Sequence, residues 1–186
     1  MSVIGIDEVG RGCWAGPLLV VASRARGSLP SGLADSKVLS KAKRVLLIDS
    51  IVDSCDIGEG WVSPEEIDSL GLAGAMKIAV SRALKELKAE STEAIMMDGL
   101  VNYCPSEFIN VQTVAKADQK YPIVSASSIY AKVTRDNYMA QESIKYPNYG
   151  FESHVGYGTK AHNEALKTYG VCDLHRKSFK PGKAYL

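Results

Sequence analysis

The sequence predicts an α/β fold in which one mixed β-sheet is covered by helices. Three observations lead there. Apolar patterns run in the order strand–strand–helix–strand–helix–helix–strand–strand–helix–helix. A chain of 186 residues suits one domain with a substantial core. Hydrophobic residues at 46% and charged residues at 23% are ordinary globular values, which excludes a disordered or collagen-like chain.

Each element has its own signal. Ser2 to Asp7 is short, β-branched and apolar, and runs into glycines. Pro17 to Ser23 is a second apolar run, and the Gly-rich turn between them suggests a hairpin. Arg24 to Leu39 is broken by Gly27, Pro30 and Gly32 and reads as a loop. Ser40 is an N-cap for a helix over Lys41 to Ser54, where Val45, Leu46, Ile48, Ile51 and Val52 recur at helical spacing. Cys55 to Val62 is a third strand. Ser63-Pro64-Glu65-Glu66 combines a capping serine, proline at the first helical position and glutamate three residues after the cap, so a helix starts there. A longer helix follows over Ala73 to Lys88. Ala94 to Asp98 and Phe108 to Val114 are strands, the first ending in a carboxylate. Val124 to about Ile144 is helical, and Thr159 to Tyr169 forms a last helix stopped by Gly170.

The apolar run Pro17 to Ala22 is far short of the roughly 20 residues a membrane span needs. The chain does not open on a basic segment followed by an apolar one, which argues against a secretory signal. Cys13, Cys55, Cys104 and Cys172 contain no C-x-x-C pair and read as reduced thiols of a cytoplasmic protein.

The chemistry is expected in the acidic residues. Asp7-Glu8 stands where the first strand meets Gly10-Arg11-Gly12, and adjacent carboxylates repel. A surface turn would tolerate them. Asp98 closes an apolar strand, as a cap or as a ligand. Asp118 follows another strand candidate. Carboxylates at the ends of strands of one sheet can converge, and cations between them would relieve their repulsion. Oxygen donors suit Mg²⁺ or Mn²⁺. Two such ions roughly 4 Å apart activate a water and stabilise the leaving oxygen of a phosphodiester.

His154, His162 and His175 lie late in the chain and read as surface or structural residues. No nucleophile signature and no Walker A loop is present. Gly10-Arg11-Gly12 is an ordinary turn or a backbone-lined pocket that could read a 2′-hydroxyl. Ser36 and Lys37 could hold a phosphate, or belong to a plain exposed loop. Ser125-Ala126-Ser127-Ser128 serves packing, with phosphate binding by the hydroxyls as the alternative.

These pieces occur in a specific order. Asp7-Glu8-Val9-Gly10-Arg11-Gly12, Asp35-Ser36-Lys37, Asp98, and Lys116-Ala117-Asp118 come first. Val124 to Ile129 with Ala131 to Asp136, Gly156-Tyr157-Gly158-Thr159, and His175-Arg176-Lys177-Ser178-Phe179 follow. In this combination the chain resembles the ribonuclease HII family over essentially its whole length. The resemblance implies an RNase H-like fold: a mixed central sheet flanked by helices, with a small C-terminal helical extension. It implies a catalytic core over about residues 1–145 and a substrate-binding extension over about 146–186. It also implies a metal-dependent endonuclease that cleaves the RNA strand of RNA/DNA hybrids, and duplex DNA 5′ to a single ribonucleotide.

By the same resemblance, Asp7, Glu8, Asp98 and Asp118 are the metal-binding catalytic carboxylates for two divalent cations, Mg²⁺ or Mn²⁺. Asp136 is the rival of Asp118 and ranks as structural. Gly10, Arg11 and Gly12 sense the 2′-hydroxyl, and Tyr157 stacks on the sugar of the following deoxynucleotide. Ser36, Lys37, Arg176 and Lys177 join them as substrate-binding residues. Cys13-Trp14-Ala15 stands where the family more often has a proline and smaller residues, which puts Trp14 beside the substrate groove. A monomer without a sliding-clamp motif at its C-terminus is expected. The sister ribonuclease HIII lacks this Gly-Arg-Gly form.

Two rivals predict otherwise. A non-catalytic binding module would have a broken carboxylate set, and an integrase- or resolvase-like DNA enzyme would lack a ribose-sensing turn. The net charge of +1, taken whole, argues against nucleic acid. Divided, it does not: residues 1–114 hold 11 basic and 15 acidic side chains, and residues 115–186 hold 11 and 6. The second part is thus +5, a suitable wall for phosphates.

Overall fold

The computed structural model describes residues 3–33 and 39–184. Five strands form one sheet: β1 (Val3–Val9), β2 (Leu18–Ala25), β3 (Cys55–Val62), β4 (Ala94–Asp98) and β5 (Val111–Val114). Their spatial order is β3-β2-β1-β4-β5. β1 to β3 form an antiparallel meander, whereas β4 pairs parallel to β1 and β5 parallel to β4. The expected strand over Phe108 to Val114 is shorter at its start. β4 has only five residues, and its ladder with β5 begins at Ile95↔Val111.

The helices are α1 (Lys41–Ser54), α2 (Pro64–Glu86), α3 (Pro122–Lys145), α4 (Phe151–His154), α5 (Lys160–Tyr169) and α6 (Lys180–Lys183). A 3₁₀ turn covers Ala117–Gln119. The two helices expected between Ser63 and Lys88 form α2, which is kinked at Gly71 (φ 68°). α3 starts at Pro122, two residues before the expected Val124, because proline is well placed at a first helical position. The two short helices α4 and α6 have too few residues to show a period.

Alternation along the strands divides the core between two faces. Ile4 and Ile6 of β1, Leu18, Val20 and Ala22 of β2, and Ile95 and Met97 of β4 pack against Met76, Ala79, Val80 and Ala83 of α2. Leu19 and Val21 point the other way, toward Ala131 of α3. Helix α3 approaches so closely that a Cβ on Gly5 would lie 2.6 Å from the Ile123 carbonyl carbon. The Ser127 hydroxyl, at 2.8 Å from the Gly5 carbonyl, uses that proximity. A second core, formed by Ala15, Met139, Tyr149, Phe151, Ala165 and Leu174, joins the 10–17 loop to the segment after α3. All four cysteines are free thiols, and no helix among the described residues is long and apolar enough to cross a membrane.

The start of α2 is a complete capping box. The Ser63 hydroxyl accepts from Glu66 N–H at 3.1 Å, and the Glu66 carboxylate accepts from Ser63 N–H at 2.9 Å. Arg82 also pairs with Glu66 at 2.6 Å, and these donors pull the Glu66 carboxyl down to about 2. Ser63→Ala removes one partner of a partly buried helix start. It should lower stability by about 1 kcal/mol, read as a shift in urea midpoint at unchanged slope.

Candidate active site

Parallel pairing of β1 with β4 sets the site. Ile6 is level with Met97, so the next step along both strands places Asp7 beside Asp98, with both side chains on the α3 face. Asp7 is buried, and its own Oδ1 accepts from Glu8 N–H at 2.7 Å. Burial pushes the Asp7 carboxyl up to about 8. A hydrogen bond from Ser128 of α3 opposes that shift, and repulsion from Glu8 and Asp98 adds to it. Asp98 is held by Ala117 N–H, which donates to its Oδ1 at 2.6 Å.

These groups open on a hollow of ≈ 460 Å³. Asp7, Glu8 and Asp98 line it on one side, with the Gly10-Arg11-Gly12 turn, Ser128, Lys132 and Tyr157 around them. Arg11 reaches Glu8 at 3.5 Å and the Tyr103 hydroxyl at 3.3 Å. Lys132 forms an ion pair with Asp136 at 2.8 Å and stands 5.7 Å from the centre of the Tyr157 ring. Asp136 is thus engaged in a helix pair rather than turned to the carboxylates.

Asp118 is buried in the 3₁₀ turn and does not line the hollow. It is tied in through its neighbour Ala117, and its carbonyl accepts from the Ser125 hydroxyl at 2.5 Å. Ser36 and Lys37 lie outside the described residues. Lys177 is exposed and lines a separate hollow with Glu65, Asp68, Asp173 and His175.

The expectation that Arg176 touches phosphate needs correction. Its side chain is fully buried, and its guanidinium is used up on backbone carbonyls. It donates to Gly10 at 2.6 Å, to Arg11 at 3.0 Å, and to Gly16 at 2.9 and 3.0 Å. Arg135 is buried in the same way, donating to Pro17, Val155 and Ala15. The two arginines form the underside of the turn that lines the hollow. Gly10, at φ 85°, faces Arg135 so closely that a Cβ would lie 2.3 Å from Nε. Trp14, expected beside the groove, is half-buried and packs on Gly158 and on His162, whose ring centre is 5.5 Å away.

Sequence reasoning did not place Ser128 or Lys132 at the site. Their spacing of four residues puts both on one face of α3, with Asp136 four further on. That spacing was a readable signal.

Among the described residues no three His, Cys, Asp or Glu side chains already stand at metal-binding distances. The donor chemistry still fits a divalent cation. Three carboxylates share one small hollow, and the burial and mutual repulsion that push the Asp7 carboxyl up are what a bound cation would offset.

A mixed five-stranded sheet with helices on both faces and acidic residues at the ends of the two central parallel strands defines an RNase H-like nuclease. The family model for Ribonuclease HII matches residues 4–181. A Ribonuclease HII of Polynucleobacter asymbioticus is 42% identical over 99% of this chain and 95% of its own length. One from Coxiella burnetii is 40% identical over 97% and 89%. The chain belongs to the ribonuclease HII family.

Solved structures agree. The RNase HII in the PCNA:RNase HII complex from Archaeoglobus fulgidus superposes with a TM-score of 0.81 and 28% identity, over 97% of this chain and 96% of that one. Ribonuclease H2 from Pyrococcus horikoshii gives 0.73 and 28%, over 100% and 97%. Bst-RNase HIII in complex with Mn²⁺ shares the fold at 0.74, with 21% identity over 98% of this chain and 68% of that one.

Proposed function

We propose that this chain hydrolyses the RNA strand of RNA/DNA hybrids and cleaves duplex DNA on the 5′ side of a single embedded ribonucleotide, leaving 3′-hydroxyl and 5′-phosphate ends. Removal of misincorporated ribonucleotides and of RNA primers follows from that chemistry. One observation carries the reading: Asp7 and Asp98 stand side by side in a hollow that the Gly10-Arg11-Gly12 turn and Tyr157 complete.

Asp7, Glu8 and Asp98 would hold the two divalent cations, Mg²⁺ or Mn²⁺. Asp118 joins as the fourth carboxylate through the turn that grips Asp98. When bound, such ions activate the attacking water and stabilise the 3′-oxygen as it leaves. The protein's own part is to position. Ala117 N–H fixes the Asp98 carboxylate, and the Ser128 hydroxyl fixes Asp7. The Arg11–Gly12 stretch is the exposed part of this turn, and its backbone would exchange hydrogen bonds with a 2′-hydroxyl, which is both donor and acceptor, while the Gly10 and Arg11 carbonyls are held by Arg176. Arg176 and Arg135 hold that backbone in place from beneath. Tyr157, about 40% exposed, offers its ring to the sugar of the next deoxynucleotide. Lys160, Lys177, Lys180 and Lys183 are exposed on the basic C-terminal segment and supply phosphate attraction.

Arg11→Ala and Tyr157→Ala should each lower the preference for an embedded ribonucleotide roughly tenfold, more than they weaken duplex binding. The comparison is cleavage of one DNA duplex with and without a ribonucleotide, against an RNA/DNA hybrid. Equal losses on every substrate would remove the junction-sensing role, and cleavage of the all-DNA duplex would remove the reading as a whole.

A further inference from the structure

The three histidines lie outside the carboxylate hollow, yet they are all buried, and two of them form a row that ends at the Tyr157 carbonyl. Their partners set their tautomers. Cys172 N–H donates to His175 Nδ1 at 2.9 Å, so the His175 proton sits on Nε2. That Nε2–H donates to His162 Nε2 at 3.0 Å. The His162 proton is then on Nδ1, which donates to the Tyr157 carbonyl at 3.0 Å. His154 stacks 4.5 Å from His162 and is satisfied separately: its Nε2–H donates to the Tyr149 carbonyl at 2.7 Å and its Nδ1 accepts from Gly156 N–H at 3.2 Å. Every ring nitrogen is thus occupied with all three rings neutral.

The Tyr157 backbone is thus held through its carbonyl, and its ring has one face toward Lys132. Other groups face the row. His154 and Tyr149 flank it, the Tyr149 ring 5.0 Å from His175. Cys172 Sγ is 3.1 Å from His175 Nδ1. From α3, Arg135 donates to the Val155 carbonyl, and Trp14 and Cys13 close the loop side. Glu65, Asp68, Asp173 and Lys177 share a hollow with His175.

We propose that His162 and His175 are positioning residues for Tyr157: the neutral row fixes the Tyr157 backbone and thereby sets the discrimination between an embedded ribonucleotide and a plain hybrid. The inference rests on Tyr157 touching substrate, as read above. A proton added to the row puts N–H against N–H, either between the two rings or at the Cys172 amide. Burial pushes both His162 and His175 down to about 4, so the row is intact at neutral pH and fails only in acid.

The test is the ratio of cleavage rates on the two substrates, followed from about pH 8 to about pH 3. Both substrates use the same carboxylates and water, so titration of those groups cancels in the ratio. The unaltered protein should hold its ratio down to about pH 5 and lose roughly three- to tenfold of it with a midpoint near pH 4, the effect of one hydrogen bond. His162→Asn, whose side-chain amide can take the place of Nδ1–H and does not titrate, should keep the ratio at all pH values. His162→Leu should show a low ratio throughout, with KM for the embedded ribonucleotide raised more than kcat is changed. In Trp61→Phe, where Trp14 is the remaining tryptophan, its fluorescence should change with the same midpoint as the ratio.

A ratio that is flat with pH in the unaltered protein, or unchanged in His162→Leu, overturns the positioning role while leaving the nuclease reading intact. If His162→Leu does not fold, the unaltered profile and His162→Asn decide. An unaltered protein that cleaves neither substrate overturns the reading of the site itself.

Discussion

Asp7→Asn should abolish cleavage, by on the order of 10³-fold or more, while leaving a folded and, without metal, more stable protein. The loss follows from the role proposed for this carboxylate. A cation held there contributes several kcal/mol of charge stabilisation in the transition state, and each 1.36 kcal/mol is about tenfold in rate. The gain in stability follows from the electrostatics of an empty site. The Asp7 carboxyl, pushed up to about 8, binds its proton more tightly in the folded protein than in the unfolded chain. The unfolded chain releases that proton near the ordinary aspartate value of 3.8. Folding is therefore favoured by this group below about pH 4, and the contribution is lost as pH rises through about 8, at roughly 1.4 kcal/mol per pH unit. Asparagine, always neutral, removes that slope. Thermal melts of both proteins between pH 5 and pH 9 in chelator would show it, and Mg²⁺ should raise the melting temperature of the unaltered protein more than that of the variant. Full activity in Asp7→Asn, or parallel pH profiles, would contradict the assignment.

Arg176→Met should be the most destabilising single change at the site, by about 3–5 kcal/mol, because it leaves the carbonyls of Gly10, Arg11 and Gly16 without their charge-assisted donors. Burial of the guanidinium opposes this gain and draws the Arg176 pKa down to about 10, so the net figure is well below the sum of four bonds. The Phe179 ring, 5.1 Å from the guanidinium, loses its partner as well. Arg176→Lys keeps the charge without the planar fork and should recover only part of the loss. Urea midpoints measure both. A midpoint for Arg176→Met within about 1 kcal/mol of the unaltered protein would mean that the turn stands without its clamp.

Several parts of this architecture were legible in the sequence. The strand and helix patterns of β1 to β4 and α1 to α3 follow from periodicity and caps, and the Ser63 box appears as read. Asp7, Glu8 and Asp98 could be named because Asp98 closes an apolar strand and Asp7-Glu8 stand at the C-terminal part of another, just before Gly10-Arg11-Gly12. Arg176 misled because residue type suggests phosphate, whereas burial decided its partners. A sequence shows that an arginine is present, but not that four carbonyl contacts from a loop about 160 residues away converge on it. The histidines were read as surface or structural, and burial places them in the second group. Their alignment as one row was beyond reach, since it depends on how α4, α5 and the Ala15↔His175 bridge come together.

The parallel pairing of β1 with β4 also bears on the order in which the protein can become active. Asp7 and Glu8 are separated from their neighbour Asp98 by about ninety residues, from Tyr157 by about 150 and from the Arg176 clamp by about 170. Such distant contacts form late and slowly. An unfinished or partly folded chain thus holds the acidic pair without the strand, the ring or the arginine that complete the hollow. The hollow is therefore completed by closure across the whole fold: the strand carrying Asp98 must dock on β1, and Arg176 must fold back beneath the 10–17 loop.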